Sequence, residues 1–335
     1  MKSFEYARPE TEAEAIEFLG TDAGQTPSSS QTVVLAGGTD LISLMKAELL
    51  TPTRVVDLKR IPSLHEVTRV DGGVQIGSLA TLSDLAQHPL LGGYRSLFDV
   101  IDGVRAIQIQ GSGTIGGDLC HLPNCWYFRG GYGLLAMENG VSLPEVGDNR
   151  YHAILGNSGP AKFVNASRFA PALIAWGAKV RIIGPKPDQS EWLPLEYFYI
   201  TPKTNGQGNT VLKPDQLISH VWLPDAEQTA SATYEVLQME GLDWPLASAA
   251  VCVEVDGGLI RSARIVMGHV APIPWLANDA ARLLIGQPLN DDTAGMAADA
   301  AVSRATPLSM NDYKVQLART AVKRVLLKAV GKLEM

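Results

Sequence analysis

The stretch "GTIGGDLCHLPNCWYFRGG", residues 113–131, joins a glycine-rich turn to two cysteines five positions apart. An earlier stretch, "LAGGTDL" at residues 35–41, carries a second pair of glycines between a β-branched run and a helical pattern. Glycine lets a backbone approach a ligand closely, and amides before a helix favour an anion. We therefore expect Gly116 and Gly117 to expose their amides and Thr114 to add a hydroxyl. Neither loop matches the dinucleotide or P-loop fingerprints, and each loop alone is more typical of a tight turn. Together, and in the context of the whole chain, they indicate a more specific role than two turns.

The composition limits the class of protein. The chain has 335 residues, of which 46% are hydrophobic and 19% charged, so we expect two or three domains with substantial cores. A formal net charge of −7 and the lack of a basic run argue against nucleic-acid binding. We find neither a secretory signal nor an apolar run of membrane-spanning length. We therefore expect a cytoplasmic protein, with export to the periplasm alongside a signal-bearing partner left open.

The pattern along the chain is a mixture of helices and strands. "ETEAEAIEFLG" (residues 10–20) has helical periodicity and ends in glycine, whereas "FAPALIAWGAKVRIIG" (169–184) is typical of a helix followed by a strand. "PLASAAVCVEVDGGLIRSARIVMGHV" (245–270) predicts a hairpin that turns at Asp-Gly-Gly. The C-terminal tail is predicted to be helical.

Several motifs in order resemble the FAD-binding subunit of molybdenum-containing hydroxylases, the xanthine dehydrogenase and carbon monoxide dehydrogenase family. They are "FEYARPETEAEAIEFL" (4–19), "LAGGTDL" (35–41), "IGSLATLSDLA" (76–86), "GTIGGDL" (113–119), "WLP" (222–224) and "MGHVAPIP" (267–274). The resemblance implies an α+β protein with the two-subdomain FAD-binding fold of the molybdopterin dehydrogenase type. That domain spans residues 1–226, with subdomains at about 1–58 and 59–226, and a smaller C-terminal α+β domain spans 227–335.

The resemblance also implies which residues bind FAD. Residues 35–41 and 113–118 line the pyrophosphate and ribityl chain, and two apolar residues fall where the family contacts the flavin or adenine. The expected cofactor-binding residues are Leu35, Ala36, Gly37, Gly38, Thr39, Asp40, Leu41, Val104, Gly113, Thr114, Ile115, Gly116, Gly117, Asp118 and Ile218. We expect no catalytic acid, base or nucleophile in this chain and no metal ligand, because the flavin supplies the chemistry.

The function that the resemblance implies is electron transfer within a heterotrimer. A large partner oxidises the substrate at molybdenum, a small partner passes electrons through [2Fe–2S] centres, and the FAD of this oxidoreductase subunit delivers them to an external acceptor. Two alternatives stay open at this stage. One is a stand-alone flavin oxidase, and the other is a scaffold subunit that has lost its cofactor. The sequence names neither the substrate nor the acceptor.

The cysteines depart from one branch of the family. Aldehyde-oxidising relatives insert a four-cysteine loop that holds a [4Fe–4S] cluster, and the flanks "CHLPNCWYFR" (120–129) and "DNRYHAILG" (148–156) resemble that branch. Only Cys120 and Cys125 are present here, and Cys252 lies in an apparent strand of the other domain. Since a cubane cluster usually takes four thiolates, we expect the two cysteines to be the remnant of a cluster site.

Two charge changes also depart from the family. Relatives often have Ser-Asp where this chain has Ser167-Arg168, which removes an acid that contacts the cofactor. The segment after Tyr234 is usually rich in lysine and arginine, but "EVLQMEGLDW" (235–244) carries no positive charge. The missing basic segment weakens the case for NAD docking, whereas the intact glycine loops support FAD binding.

Overall fold

The computed structural model describes residues 1–20, 25, 30–239 and 243–333. A small parallel sheet opens the chain, formed by β1 (Glu5–Ala7), β2 (Thr32–Leu35) and β3 (Arg54–Asp57) in the order β1-β3-β2. Helices α1 (Glu12–Leu19) and α2 (Leu41–Lys46) connect its strands. The Thr11 hydroxyl caps α1 by accepting a hydrogen bond from the Glu14 N–H. Gly20 ends the helix as predicted, although its φ of −57° is right-handed.

An antiparallel sheet forms the centre of the next part of the chain. The strands are β4 (Val67–Val70), β5 (Gly73–Gly77), β6 (Met137–Glu138), β7 (Val141–Ser142), β8 (Lys179–Ile183), β9 (Ser190–Pro194) and β10 (Leu217–Pro224). The five-stranded sheet has the order β4-β5-β10-β8-β9, and β6 and β7 form a separate hairpin. The helices are α3 (Leu82–Gln87), α4 (Arg95–Gly103), α5 (Ile107–Ser112), α6 (Ile115–Leu119), α7 (Leu143–Val146) and α8 (Phe169–Ala175). Helix α8 is buried along its whole length, so the core lies between the helices and this sheet.

A second antiparallel sheet completes the fold. Its strands, in spatial order, are β11 (Thr229–Val236), β12 (Ala247–Asp256), β13 (Leu259–Gly268) and β14 (Trp275–Leu276). The predicted hairpin is confirmed: β12 and β13 pair and turn at Gly257 and Gly258, which both have positive φ. The predicted helical tail is also confirmed, as α9 (Asn278–Leu284), α10 (Asp291–Val302) and α11 (Tyr313–Ala329). Alanines and branched aliphatic residues of α10 and α11 share one core with β12 and β13.

The long irregular segment after α6 ties the two antiparallel sheets together. The N–H groups of Ile154 and Leu155 both donate to the Val270 carbonyl, and both side chains are fully buried in the core of the second sheet. This segment therefore places the cysteine region at the junction of the sheets.

Within the part of the chain that the structure describes, no helix is long and apolar enough to cross a membrane.

Candidate cofactor site

The two predicted glycine loops lie against each other. A Cβ built on Gly37 would lie 1.7 Å from the Ser112 carbonyl oxygen, so the two backbones are in contact at that point. Gly38 has a φ of +75°, in the left-handed region that residues with a side chain rarely adopt. The first loop therefore needs glycine at both positions, at Gly37 for close packing and at Gly38 for its backbone conformation.

The first loop presents free backbone donors. Leu35 ends β2 and Leu41 begins α2. The N–H groups of Gly38, Thr39 and Asp40 find no hydrogen-bond acceptor among the residues that the structure describes. Asp40 is the N-cap of α2 but makes no side-chain capping bond. Successive unpaired N–H groups form a concave donor surface suited to an anion, so this loop fits the pyrophosphate of FAD.

The second loop does not expose its glycine amides, and our prediction for them was wrong. The Gly116 N–H donates to the Ser78 carbonyl at 2.8 Å, and the Gly117 N–H donates to Thr114 Oγ1 at 3.1 Å. The Thr114 hydroxyl, also predicted to be available, is thus the cap of α6. A Cβ on Gly116 would lie 2.7 Å from the Cβ of Ser78. Glycine is needed at position 116 because Ser78 packs directly against it. In sequence, such a glycine cannot be distinguished from one that faces a ligand.

The remaining members of the second loop are held from within the chain. The Gly113 N–H donates to Ile109 at 2.7 Å, and the Ile115 N–H donates to Ala80 at 3.1 Å. Both residues are buried. The second loop is therefore held rigidly by the protein, and the first loop packs beside it where Gly37 meets Ser112.

Asp118 connects the second loop to helix α8. Its carboxylate accepts hydrogen bonds from the Arg168 N–H at 3.2 Å and the Phe169 N–H at 3.1 Å, and a short one from the Ser167 hydroxyl. Burial raises the pKa of Asp118, and the hydrogen bonds from Ser167, Phe169 and Arg168 oppose that rise. Both carboxylate oxygens are thus engaged by the N-terminal end of α8, which orders this side of the site.

The two apolar residues predicted from spacing lie in the core. Val104 is the C-cap of α4 and is 7% exposed, and Ile218 on β10 is 5% exposed. They belong to the same hydrophobic core as Ile115 of the second loop. The structure brings these three residues into one apolar layer behind the glycine loops.

Arg129 is a residue that the sequence reasoning missed. Its guanidinium donates to Asp40 Oδ1 at 2.7 Å and to the carbonyls of Pro123 and Leu122 at 3.1 and 3.2 Å. It therefore fastens the cysteine segment to the first glycine loop. Arg129 lies within residues 113–131, but no spacing or motif marks it, because its partner is 89 positions away.

Arg168 and Glu235 form a buried ion pair. Arg168 Nε lies 2.9 Å from Glu235 Oε1, and Nη2 forms a second, short bond to Oε2. The side chains are 11% and 6% exposed. A Cβ on Gly103 would lie 2.5 Å from the Glu235 carboxylate, so Gly103, next to Val104, packs directly on the pair. The two charge departures seen in sequence therefore meet at this pair. Residues 240–242 of the segment without positive charge lie outside the described residues.

The two cysteines of the opening stretch are in different surroundings. Cys125 Sγ lies 3.1 Å from His152 Nε2, whereas Cys120 is exposed. Cys252 is buried in β12, in the strand that the sequence predicts for it. All three are free cysteines. No cluster of three or more His, Cys, Asp or Glu side chains suited to a metal ion occurs among the described residues.

Comparisons with known proteins agree with this architecture. Residues 2–226 match the FAD-binding domain in molybdopterin dehydrogenase, and residues 232–329 match the C-terminal domain of the CO dehydrogenase flavoprotein. The aldehyde oxidoreductase FAD-binding subunit PaoB of Escherichia coli is 30% identical over 98% of this chain and 99% of that protein. The carbon monoxide dehydrogenase medium chain of Hydrogenophaga pseudoflava is 24% identical over 96% of each chain.

Solved structures show the same fold. A structure of carbon monoxide dehydrogenase from Hydrogenophaga pseudoflava superimposes with a TM-score of 0.76 at 25% identity, covering 99% of each chain. Quinoline 2-oxidoreductase from Pseudomonas putida gives a TM-score of 0.75 at 22% identity over both full chains. The predicted α+β fold class, the FAD cofactor and the assignment to oxidoreductase flavoproteins are thereby confirmed. Because the FAD-binding family matches more than half of this chain, the chain belongs to the family of molybdopterin dehydrogenase FAD-binding flavoproteins.

Proposed function

We propose that this chain binds FAD along its first glycine loop and transfers electrons within a heteromeric molybdenum hydroxylase. The observation that carries the proposal is the run of N–H groups at Gly38, Thr39 and Asp40 that have no acceptor among the described residues, held in place by the contact between Gly37 and Ser112. When bound, FAD supplies the exchange of electrons in single or paired steps. The chain's own residues bind the cofactor and exclude water from it.

The predicted binding residues divide into two roles in this proposal. Within residues 35–41, the amides of Gly38, Thr39 and Asp40 offer hydrogen bonds to the pyrophosphate, because they have no acceptor among the described residues. Residues 113–118 shape the wall beside the ribityl chain, because the N–H groups of their three glycines, Ile115 and Asp118 are already paired within the protein. Val104 and Ile218 support the flavin side from the apolar core.

The proposed partners are a molybdenum-cofactor large subunit and a small subunit with two [2Fe–2S] centres. Support comes from relatives of nearly the same length whose names are those of medium chains and FAD-binding subunits. We also propose the division into residues 1–226 and 227–335, supported by family matches that end at 226 and begin again at 232. The cytoplasm is the proposed compartment, with co-export to the periplasm as the alternative.

Two measurements test this function. The purified chain should bind FAD with a stoichiometry of one, measured by flavin fluorescence during titration. Tagged chain isolated from its native host should bring down a molybdenum-containing large chain and an iron–sulfur small chain, identified by metal analysis and mass spectrometry. A chain that takes up no FAD would support the scaffold alternative. A flavin-loaded monomer that reduces oxygen with its own substrate would support the oxidase alternative.

A further inference from the structure

A cavity of about 250 Å³ lies at the junction of the two antiparallel sheets. Much of its wall is apolar or aromatic, and three of its aromatic side chains also reach the surface: Trp126 is 40% exposed, Tyr151 38% and Trp244 37%. Ligand sites are usually apolar clefts in which a few polar groups select the ligand. The polar groups of this wall therefore decide what the cavity can bind.

The histidine and cysteine side chains of the wall are neutral and already paired. His152 hydrogen-bonds to the backbone of Asn149 and to Cys125 Sγ, which lies 3.1 Å from its Nε2. His269 hydrogen-bonds to the backbone of Ala166. Burial lowers the pKa of His152 to about 4 and that of His269 to about 3, and it raises the pKa of Cys125. None of these three groups carries a charge at pH 7.

Lys314 lines the cavity, but its charge is held by the backbone. The residue is 1% exposed, and its ammonium donates to the carbonyls of Tyr151, His152 and His269 at 3.3, 3.1 and 2.9 Å. Burial lowers the pKa of Lys314 to about 7. An anionic ligand would have to compete with three carbonyl oxygens for this ammonium, so Lys314 does not make the cavity an anion site.

Asp243 is the one carboxylate among the described residues of the wall. Its Oδ1 accepts a hydrogen bond from the Trp244 N–H at 3.0 Å, and no lysine or arginine in the described part of the chain forms an ion pair with it. The cavity thus combines a carboxylate that has no cationic partner with the faces of aromatic rings. Both features attract a positive charge.

The aromatic side chains of the wall already attract one cation of the chain. The Arg150 guanidinium lies 5.7 Å from the ring centroid of Trp126 and 5.9 Å from that of Tyr151, while it also pairs with Asp148. The face of an aromatic ring is negative, which is why cations lie over it. Trp244, the neighbour of Asp243, has no lysine or arginine over its ring among the residues described, so its face is available to a ligand.

The segment that supplies Asp243 has the same charge preference over its length. Residues 235–244 include three carboxyl side chains, Glu235, Glu240 and Asp243, and no lysine or arginine. Glu235 is neutralised by Arg168, and Glu240 lies outside the described residues. A segment of this composition repels phosphate groups and attracts cations. It therefore argues against an anionic nucleotide in the cavity.

We propose that this cavity binds a flat organic cation, a heteroaromatic ring with a quaternary nitrogen, with its ring against Trp244 and its charge beside Asp243. The volume admits one or two fused rings. The inference goes beyond the proposed function and does not depend on it, because no residue of the wall belongs to either glycine loop.

The test compares two probes of similar shape and different charge. N-methylisoquinolinium is a flat cation, and isoquinoline is its uncharged analogue at pH 8. Binding of each probe to the full chain is measured by equilibrium dialysis. Asp243→Asn removes the charge at constant size, and Asp71→Asn, in the exposed turn between β4 and β5, is its control. Trp244→Leu removes the aromatic face, and Trp192→Leu, at an exposed position on β9, is its control.

The wild-type chain should bind one N-methylisoquinolinium, about fivefold or more tightly than isoquinoline. Asp243→Asn should abolish this preference and leave the affinity for isoquinoline unchanged, whereas Trp244→Leu should weaken binding of the cation about threefold to tenfold. Both controls should match the wild type. The inference is overturned if the wild type binds no N-methylisoquinolinium or binds both probes equally, or if the preference survives in Asp243→Asn. Far-ultraviolet circular dichroism establishes folding, and if Trp244→Leu does not fold, Asp243→Asn decides the outcome.

Discussion

Arg168, at the N-terminal end of α8, and Glu235, on β11, form a buried ion pair with two hydrogen bonds between them. The pair joins the core of the central sheet to the second antiparallel sheet. The two charge departures that the resemblance marks in sequence, Arg168 and the segment that begins at Glu235, therefore meet as one pair. Arginine is accommodated at this buried position because Glu235 neutralises its charge.

Replacing Arg168 should lower the free energy of unfolding. Arg168→Met leaves Glu235 buried without its partner, which costs about 3–5 kcal/mol for a pair of this kind. Burial already raises the pKa of Glu235, and Arg168 opposes that rise, so the variant's pKa is higher still. A raised carboxyl pKa favours the folded state at low pH, and that contribution is lost as the pH rises through it. We expect a larger loss at pH 8 than at pH 5, measured by urea unfolding.

The control for this prediction is the exchanged pair. Arg168→Glu combined with Glu235→Arg restores opposite charges at the same two positions and should recover most of the lost stability. Equal stability of the single variant and the wild type at pH 8 would contradict the prediction.

Gly37→Ala should separate the two glycine loops. The new Cβ would meet the Ser112 carbonyl at 1.7 Å, and neither backbone can yield without moving its loop. Overpacking of this kind costs about 1–3 kcal/mol, and we expect FAD affinity to fall at least tenfold. Thermal unfolding and flavin fluorescence measure the two effects. Gly111→Ala is the matched control: the added Cβ meets nothing within 4 Å, and alanine favours the helix by about 0.5–1 kcal/mol.

The elements of the fold could be predicted where a local pattern determines them. The β12–β13 hairpin follows from two β-rich runs and an Asp-Gly-Gly turn, and α1 follows from its periodicity. The role of Gly116 could not be predicted, because a glycine packed on Ser78 and a glycine facing a ligand have the same local sequence. The contact of Arg129 with Asp40 and the pairing of Arg168 with Glu235 depend on the tertiary fold, which brings together residues 89 and 67 positions apart.

Asp118→Asn should loosen α8. The asparagine amide has one acceptor oxygen, so its NH₂ group would face one of the backbone donors at Arg168 and Phe169. Leaving a buried donor unpaired costs about 1–3 kcal/mol. Urea unfolding should show this loss, and hydrogen exchange should be faster at the first amides of α8. Asp102→Asn, at an exposed position on α4, serves as the control and should change neither measurement. Unchanged exchange in α8 would mean that Asp118 does not hold this helix.

Arg129→Met should weaken FAD binding without unfolding the chain. Arg129 is half-buried and fixes the first glycine loop through Asp40, so its loss frees that loop and adds an unpaired carboxylate beside the proposed pyrophosphate. We expect FAD affinity to fall about tenfold, with thermal stability changed much less. Arg150→Met is the control, because Arg150 pairs with exposed Asp148 on the same segment and does not contact the glycine loop. Similar flavin affinity in both variants would refute the role assigned to Arg129.

The purified chain should hold FAD but no cubane cluster after anaerobic reconstitution with iron and sulfide. A [4Fe–4S] cluster usually takes four thiolates, and the chain has three cysteines, of which Cys252 is buried in β12. Of the remaining two, Cys125 has its sulfur 3.1 Å from His152 Nε2, and burial raises its pKa, which disfavours the thiolate that iron requires. We therefore expect far less than four irons per chain by metal analysis, and the same value for Cys125→Ala. Four irons and four acid-labile sulfides per wild-type chain, lost in Cys125→Ala, would show instead that the cysteine segment still builds a cluster with ligands other than thiolates.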